Sequence, residues 1–196
     1  MRNQLNKDEP IYRLINEDGS CQWIKLSMRT GEYSIRGVIT NVTDQVDRRL
    51  KMDYEHTYDV LTDLMNNRAF QERLNKLFVG KKSLGLGLMI MWDLDDLKSI
   101  NDSHGHESGD GYIHSFANWL KTISGAGPIG FSARRSGDEF FTFLCGFDSV
   151  EKRKAFLLEM SRHLHDMTDE LYSGTVVKLS ASAGAARFPE GAGTPT

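Results

Sequence analysis

Apolar and polar residues alternate along residues 11–43, and this period of two is typical of antiparallel β-strands. Two turn signals interrupt the alternation, Asn16-Glu17-Asp18-Gly19 and Thr30-Gly31. The pattern predicts strands at residues 11–15, 21–26 and 33–42. Three short strands of this kind form an N-terminal antiparallel β-meander, which is too small to bury a hydrophobic core alone.

The next segment, residues 44–59, has no glycine or proline and is rich in charge, so it predicts a helical linker. Its apolar residues Val46, Leu50, Tyr54 and Tyr58 recur every four positions and form one narrow stripe. Such a stripe suits a connector or a coiled-coil seam as well as a surface helix.

From residue 60 onwards the pattern predicts helices and strands in the order α-β-α-α-β-β-α-β. The helices with a clear apolar face are expected at residues 66–78, 110–124 and 149–171. The strands are expected at residues 84–92, 129–135, 140–146 and 176–188. A tight turn, Ser136-Gly137-Asp138, joins two of these strands. The predicted fold class is therefore α/β (α+β), with a mixed, mostly antiparallel sheet flanked by helices.

Composition excludes several functional classes. A net charge of −3 and a pI of about 6.1 give no electrostatic reason to expect binding to nucleic acid or to an anionic membrane. The longest apolar run, residues 84–92, is about half the length that a bilayer span requires. Residues 1–10 lack the apolar core of a signal peptide. Cys21 and Cys145 have no CxxC spacing and are typical of reduced thiols, so we expect a cytoplasmic protein without direct membrane contact.

Acidic residues at two predicted strand ends carry the candidate chemistry. Asp93 directly follows the apolar strand, and either Asp93 or Asp95 could instead cap the next helix. A turn explains Asp138, but it leaves the neighbouring Glu139 unexplained. Separated carboxylates at the rim of a sheet suit Mg²⁺, which takes one or two protein carboxylates together with substrate phosphates. The residues alone therefore predict a metal-assisted phosphoryl-transfer site.

Several motifs resemble the GGDEF family. The two signature blocks are Asp93-Leu94-Asp95-x-Leu97-Lys98-x-Ile100-Asn101-Asp102-x-x-Gly105-His106-x-x-Gly109-Asp110 and Arg134-Arg135-Ser136-Gly137-Asp138-Glu139-Phe140. Residues 61–70 look like the opening signature of that domain, and residues 182–189 are similar to its penultimate strand. The resemblance implies the palm-like α/β domain that adenylyl cyclases and polymerases also use. It also implies a diguanylate cyclase, a homodimer that condenses two GTP molecules to cyclic di-GMP in bacterial second-messenger signalling.

The same resemblance implies roles for individual residues near the reacting phosphate. Asp93, the Leu94 carbonyl and Asp138 match the ligands of Mg²⁺ or Mn²⁺. Asp138 also matches a proposed proton acceptor, a role that is hard to combine with that of a metal ligand. Lys98 matches a lysine that stabilises charge in the transition state, and Glu139 completes the expected catalytic set.

Four further residues match the part of the family site that binds the nucleotide. Asn101 and Asp110 match the guanine readers, and an ionised aspartate suits the N–H donors of guanine better than the edge of adenine. A cyclase that makes mixed guanine–adenine products is therefore disfavoured. His106 matches a residue near the nucleotide. Gly137 permits close approach of the backbone to phosphate.

Some positions depart from the family pattern. Ser136 replaces the first glycine of the signature, and Leu97 stands where phenylalanine is usual. Asp63, Met65 and Asn67 also differ from the opening block.

Two larger features of the family are expected to be absent. The charged pair of the product-inhibition motif should fall within Gly127-Pro128-Ile129-Gly130, which carries no charge. The last helix of the domain, with a lysine and an arginine for the triphosphate, would follow Pro189. A chain without that helix is expected to cyclise GTP poorly or not at all. The alternative function is a catalytically weak or inactive GGDEF domain that serves as a nucleotide-binding or dimerisation module.

The N-terminal meander has a looser resemblance. The patterns Arg13-Leu14-x-x-x-Asp18-Gly19-x-x-x-Trp23 and Arg36 to Asp44 look like the last three strands of a PAS sensor domain, and a plain β-hairpin extension is the alternative. The expected organisation is a partial PAS-like meander (1–43), a helical signalling linker (44–59) and a GGDEF domain (60–196).

Overall fold

The computed structural model describes residues 10–80, 84–125, 129–170 and 174–188. The chain divides into two compact units, Met1–Tyr54 and Glu55–Thr196. Within the described residues, no helix is both long enough and apolar enough to cross a membrane.

The first unit is built on the three-stranded antiparallel sheet that the sequence predicts. Its strands are β1 (Ile11–Ile15), β2 (Cys21–Thr30) and β3 (Ile35–Asn41), in the order β1-β2-β3. The linker helix α1 (Thr43–Thr57) follows, and it buries none of its residues. The Thr43 hydroxyl accepts a hydrogen bond from the backbone N–H of Trp23 at 2.9 Å, so the first residue of α1 is tied to the sheet.

The second unit is organised around a five-stranded sheet with the order β10-β5-β7-β6-β4. Its elements are β4 (Met65–Asn66), α2 (Asn67–Gly80), β5 (Leu86–Leu94), α3 (Leu97–His104), α4 (His106–Gly125), β6 (Ile129–Ser136), β7 (Glu139–Phe147), α5 (Val150–Asp166), β8 (Thr168–Glu170), β9 (Val176–Lys178) and β10 (Ala181–Phe188). Among the described strands, only the short β4 pairs in parallel, with β6. The mixed, mostly antiparallel sheet with flanking helices is therefore confirmed.

The sheet has a hydrophobic cluster on each face because successive side chains of a strand point to opposite faces. On one face, Trp92 and Leu94 of β5 and Phe140 of β7 pack with Phe116 of α4. On the other face, Phe131 and Phe143 pack with Phe70 of α2. Because β5 buries one face in the first cluster and packs Met89 against the second, most of it is apolar, although Met91 and Asp93 near its end are exposed.

Two sequence expectations about boundaries are wrong. The helix predicted at residues 149–171 ends at Asp166, and residues 168–170 form β8. The strand predicted at residues 176–188 is two strands, of which β9 pairs with β8 and β10 pairs with β5. The backbone N–H of Leu179 donates to the Met167 carbonyl at 3.0 Å, so a contact distant in sequence divides the strand.

Candidate active site

Polar side chains from four neighbouring strands form a row across one end of the main sheet. Ser182 of β10 is paired with Asp93 of β5, Asp93 with Glu139 of β7, and Glu139 with Ser136 of β6. Residues paired in this way point to the same face of a sheet. The two predicted acidic positions, Asp93 and Glu139, are therefore direct neighbours.

The turn between β6 and β7 brings Asp138 to the same end of the sheet. Gly137 has a φ of 52°, in the left-handed region that favours glycine. The backbone N–H of Leu94 donates to the carbonyl of Asp138 at 2.9 Å. This bond fixes the end of β5 against the turn, so Asp93, Leu94 and Asp138 lie together.

These three residues line a pocket of about 800 Å³. The start of α3 forms another part of its wall, which includes Lys98 and Asp102. Asp95 and Asp96 line it as well. A lysine and several carboxylates in one polar pocket can bind a divalent cation and the phosphates of a nucleotide.

Three carboxylates of the site differ in their partners. The Glu139 carboxylate accepts a hydrogen bond from Arg135 Nη1 at 2.7 Å and another from Ser136 Oγ at 3.0 Å. The side chains of Asp93 and Asp138, by contrast, make no hydrogen bond or ion pair within the part of the chain that the structure describes. Asp93 is exposed and Asp138 is partly buried, so both carboxylates are available to a ligand.

Asp95 does not cap a helix but bonds to two serines near the start of β10. Its carboxylate accepts hydrogen bonds from Ser180 Oγ at 2.7 Å and from Ser182 Oγ at 2.9 Å. The N-cap of α3 is Asp96, which has a φ of 60° and no capping hydrogen bond from its side chain. The expectation that Asp93 or Asp95 caps this helix is therefore wrong, and Asp95 instead ties the end of β5 to β10.

The residues expected to read the base lie along α3 and the start of α4. A Cβ on Gly109 would lie 2.0 Å from Asn101 Oδ1, so Asn101 packs directly over the glycine. His106 and Asp110 are exposed on the first turns of α4. Of the described residues, neither these two nor Asn101 lines the pocket beside Asp93. The structure thus brings Lys98, Asp93 and Asp138 together and places the expected base readers beyond them.

The available ligands fit Mg²⁺ or Mn²⁺ when the nucleotide completes the coordination. In the described ranges, no group of three or more His, Cys, Asp or Glu side chains could hold a metal ion by itself. Two free carboxylates and the Leu94 carbonyl are oxygen donors. Mg²⁺ is commonly held by one or two carboxylates plus phosphates, so this small set suits it.

The role of Arg134 was not predicted from the sequence. Its Nε donates to the Gly137 carbonyl at 2.9 Å, and its Nη1 lies 3.3 Å from Asp59 Oδ1. The same Asp59 oxygen accepts hydrogen bonds from the backbone N–H and the hydroxyl of Thr62. In the sequence, Arg134 is visible only as an arginine before the turn, and Asp59 only as the start of an Asp-x-x-Thr turn. Neither pattern indicates that the two side chains form an ion pair.

Two expected absences fall partly or wholly outside the described residues. Of the segment expected to lack the inhibitory motif, Ile129 and Gly130 begin β6, whereas Gly127 and Pro128 are outside the described residues. Residues 189–196, where the last helix of the family would begin, are also outside them.

Comparison with known proteins gives one family match. A family model described as "Diguanylate cyclase, GGDEF domain" matches residues 56–196. That range contains the main sheet and every site residue described above.

Individual proteins agree with this match. The chain is 28 % identical over 150 residues to the probable diguanylate cyclase DgcE of Escherichia coli. The matched region covers 75 % of this chain and 13 % of DgcE. The solved GGDEF domain of TpbB (YfiN) from Pseudomonas aeruginosa has a TM-score of 0.60 and 27 % identity, covering 68 % of this chain and 76 % of that one. The GGDEF domain of DgcB from Caulobacter crescentus, solved with c-di-GMP, has a TM-score of 0.58 and 25 % identity. The match covers 69 % of this chain and 79 % of that one. The chain spans about half or less of the length of the first curated relatives it matches.

Proposed function

Because the chain belongs to the GGDEF family of diguanylate cyclases, we propose that it is a signalling enzyme that condenses two GTP molecules to cyclic di-GMP. The observation that carries the proposal is the pair of free carboxylates, Asp93 and Asp138, in one pocket with Lys98. This is the arrangement that a nucleotide triphosphate and a divalent cation require together.

Each residue of the pocket has a defined part in this chemistry. Asp93, the Leu94 carbonyl and Asp138 would hold Mg²⁺ or Mn²⁺, and a bound ion would offset the charge of the triphosphate that opposes nucleophilic attack. Lys98 lines the pocket, and its ammonium would stabilise charge that develops on the phosphate. Glu139, opposite Asp93 on β7, is the remaining member of the proposed catalytic set, and Arg135 and Ser136 hold its carboxylate.

The reaction itself joins two nucleotides. The 3′-hydroxyl of one GTP attacks the α-phosphorus of the other, an O3′–P bond forms and pyrophosphate leaves; a second such step closes the ring. Asp138 is the proposed acceptor of the hydroxyl proton. Because the two steps are equivalent, a homodimer in which each subunit presents one GTP suits the symmetry of the product.

The nucleotide-binding residues determine which base is accepted. Asn101 and Asp110 are the proposed guanine readers, and His106 and Gly137 complete the proposed nucleotide site. The close packing of Asn101 on Gly109 supports this, since it brings the amide against the helix that carries Asp110. GTP is an intracellular nucleotide, which supports a cytoplasmic location for this part of the protein.

The N-terminal unit is proposed to carry the input of the signal. We assign residues 1–43 to a PAS-like sensor module, residues 44–59 to a signalling linker and residues 60–196 to the GGDEF domain. The three-stranded meander that leads directly into α1 supports this assignment.

A direct assay tests the enzyme proposal. Purified protein is incubated with GTP and Mg²⁺, and the products are separated by chromatography. The expected results are cyclic di-GMP from the wild type, even if only in low yield, and no product from Asp93→Asn. Binding of GTP without any product would instead assign the chain to a nucleotide-binding module.

A further inference from the structure

Glu139 and Asp93 are direct cross-strand neighbours, so their two negative charges repel each other. In an antiparallel pair the Cβ atoms of such residues are about 4.5–5.5 Å apart, and like charges there are unfavourable. The structure relieves this by giving Glu139 two donors on its other side. Arg135 Nη1 binds Oε1 and Ser136 Oγ binds Oε2, and both donors come from β6.

An irregularity in β6 allows both donors to reach one carboxylate. In a regular strand, Arg135 and Ser136 would point to opposite faces of the sheet. The pairing of β6 with β7 shifts between Arg134 and Ser136, which leaves Arg135 as an extra residue. A bulge of this kind re-aims a side chain, and here it brings the guanidinium to the same carboxylate as the Ser136 hydroxyl.

Ser136 adds a contact that a glycine cannot make. The family signature has glycine at this position, whereas this chain supplies a hydroxyl that donates to Glu139 at 3.0 Å. With both oxygens bound towards β6, Glu139 is turned away from Asp93 on β5.

On the basis of the proposed function, we infer that Ser136 is a positioning residue that keeps Glu139 out of the cation site. Of the three carboxylates at the facing ends of β5 and β7, Asp93 and Asp138 then stay available to a cation, whereas Glu139 is held by β6. Asp95, Asp96 and Asp102 also line the pocket, but in the described residues no group of three such side chains could hold an ion by itself. A site with two carboxylates holds Mg²⁺ or Mn²⁺ weakly alone and needs the phosphates of the nucleotide to complete the coordination. Ser136 therefore makes cation binding depend on the presence of the nucleotide.

Removal of the hydroxyl tests this inference. Mn²⁺ is titrated into the full chain without nucleotide, and the free aqueous ion is followed by electron paramagnetic resonance. Ser136→Ala should bind Mn²⁺ more tightly by roughly three- to tenfold, because one hydrogen bond no longer restrains Glu139. Ser136→Thr keeps the hydroxyl and should bind Mn²⁺ as the wild type does. The same titration with GTP present should give a smaller difference between the variants.

A second substitution identifies the carboxylate responsible. In the double variant Ser136→Ala/Glu139→Gln, the gain in Mn²⁺ affinity should disappear. Unchanged or weaker Mn²⁺ binding by Ser136→Ala would overturn the inference, as would a gain that persists in the double variant. A circular dichroism melt of each variant shows whether the fold is kept.

The proposed function is checked by a separate variant. Asp93→Asn should abolish Mn²⁺–GTP binding whatever residue stands at position 136. If Asp93→Asn behaves as expected and Ser136→Ala changes nothing, only the inference fails. If neither the wild type nor Ser136→Ala binds Mn²⁺ with or without GTP, the proposed function and the inference both fail.

Discussion

Arg134 donates a hydrogen bond from its Nε to the carbonyl oxygen of Gly137, 2.9 Å away, and so holds the turn that presents Asp138. Its Nη1 lies 3.3 Å from the carboxylate of Asp59, which follows the linker helix in the chain. The side chains of Arg134 and Asp59 are 14 % and 27 % exposed, so their ion pair is largely shielded from water. One guanidinium thus connects the segment after α1 with the signature hairpin.

Replacement of Arg134 should therefore lower both stability and activity. Arg134→Gln leaves the partly buried Asp59 without its ion pair and frees the Gly137 carbonyl, at an expected cost of roughly 1–3 kcal/mol in the free energy of unfolding. Denaturation in urea measures this cost. Arg68→Gln is the matched control, because Arg68 pairs with Glu72 on an exposed helix face, with side chains 65 % and 48 % exposed. Such a pair contributes about 0–1 kcal/mol, so a cost for Arg134→Gln no larger than for Arg68→Gln would contradict the structural role.

The free and the engaged aspartates at the end of β5 should respond differently to substitution. Asp93→Asn should reduce turnover by orders of magnitude and leave the fold intact, since the Asp93 side chain makes no hydrogen bond or ion pair within the described residues. Asp95→Ala should instead lower stability by roughly 1.5–3 kcal/mol, because it removes the hydrogen bonds from Ser180 and from Ser182 of β10. Parallel measurement of cation binding and thermal unfolding separates the two effects. Near-native turnover by Asp93→Asn would show that Asp93 is not a ligand.

Substitution of Asp138, in the turn between β6 and β7, tests the other proposed carboxylate ligand. Asp138→Asn should also reduce turnover by orders of magnitude, because it removes the second free carboxylate of the pocket. The variant should unfold at the same temperature as the wild type. Full activity with Asn at this position would exclude both the ligand role and the proton-acceptor role of Asp138.

The sequence predicts the parts of this molecule that depend on local pattern. β5 is mostly buried and therefore a nearly continuous apolar run, and the Ser136-Gly137-Asp138 turn marks the hairpin, so both could be located. The division between β9 and β10 could not be located, because it accompanies a backbone hydrogen bond from Leu179 to Met167, twelve residues earlier. The partners of Glu139 were hidden for a similar reason. A one-residue shift in pairing at Arg135 reverses the alternation on which the prediction depends.

The choice between GTP and ATP provides a test of Asp110. Its carboxylate only accepts hydrogen bonds, so it suits the N1–H and N2–H₂ groups of guanine and fits adenine poorly. GTP should bind more tightly than ATP by roughly 1–3 kcal/mol for each mismatched polar group. Calorimetry with each nucleotide measures the difference, and Asp110→Ala should reduce it. Equal binding of ATP and GTP by the wild type would exclude Asp110 as a base reader.

The packing of Asn101 over Gly109 leads to a prediction about a residue that touches no ligand. A Cβ at position 109 would lie 2.0 Å from Asn101 Oδ1, far closer than atoms can approach, so Gly109→Ala must displace the amide. We expect this variant to weaken GTP binding and to reduce the preference for GTP over ATP. Overpacking of this kind also costs about 1–3 kcal/mol of stability.

Gly125→Ala is the matched control for this variant, because a Cβ there meets nothing within 4 Å and the residue ends the same helix α4. Calorimetric titration of both variants with GTP and ATP gives the comparison. If Asn101 reads the base, Gly109→Ala should lose part of the discrimination and Gly125→Ala should keep all of it. A Gly109→Ala protein that is folded and discriminates as well as the wild type would mean that Asn101 does not contact the guanine, because its amide cannot stay in place beside the added methyl group.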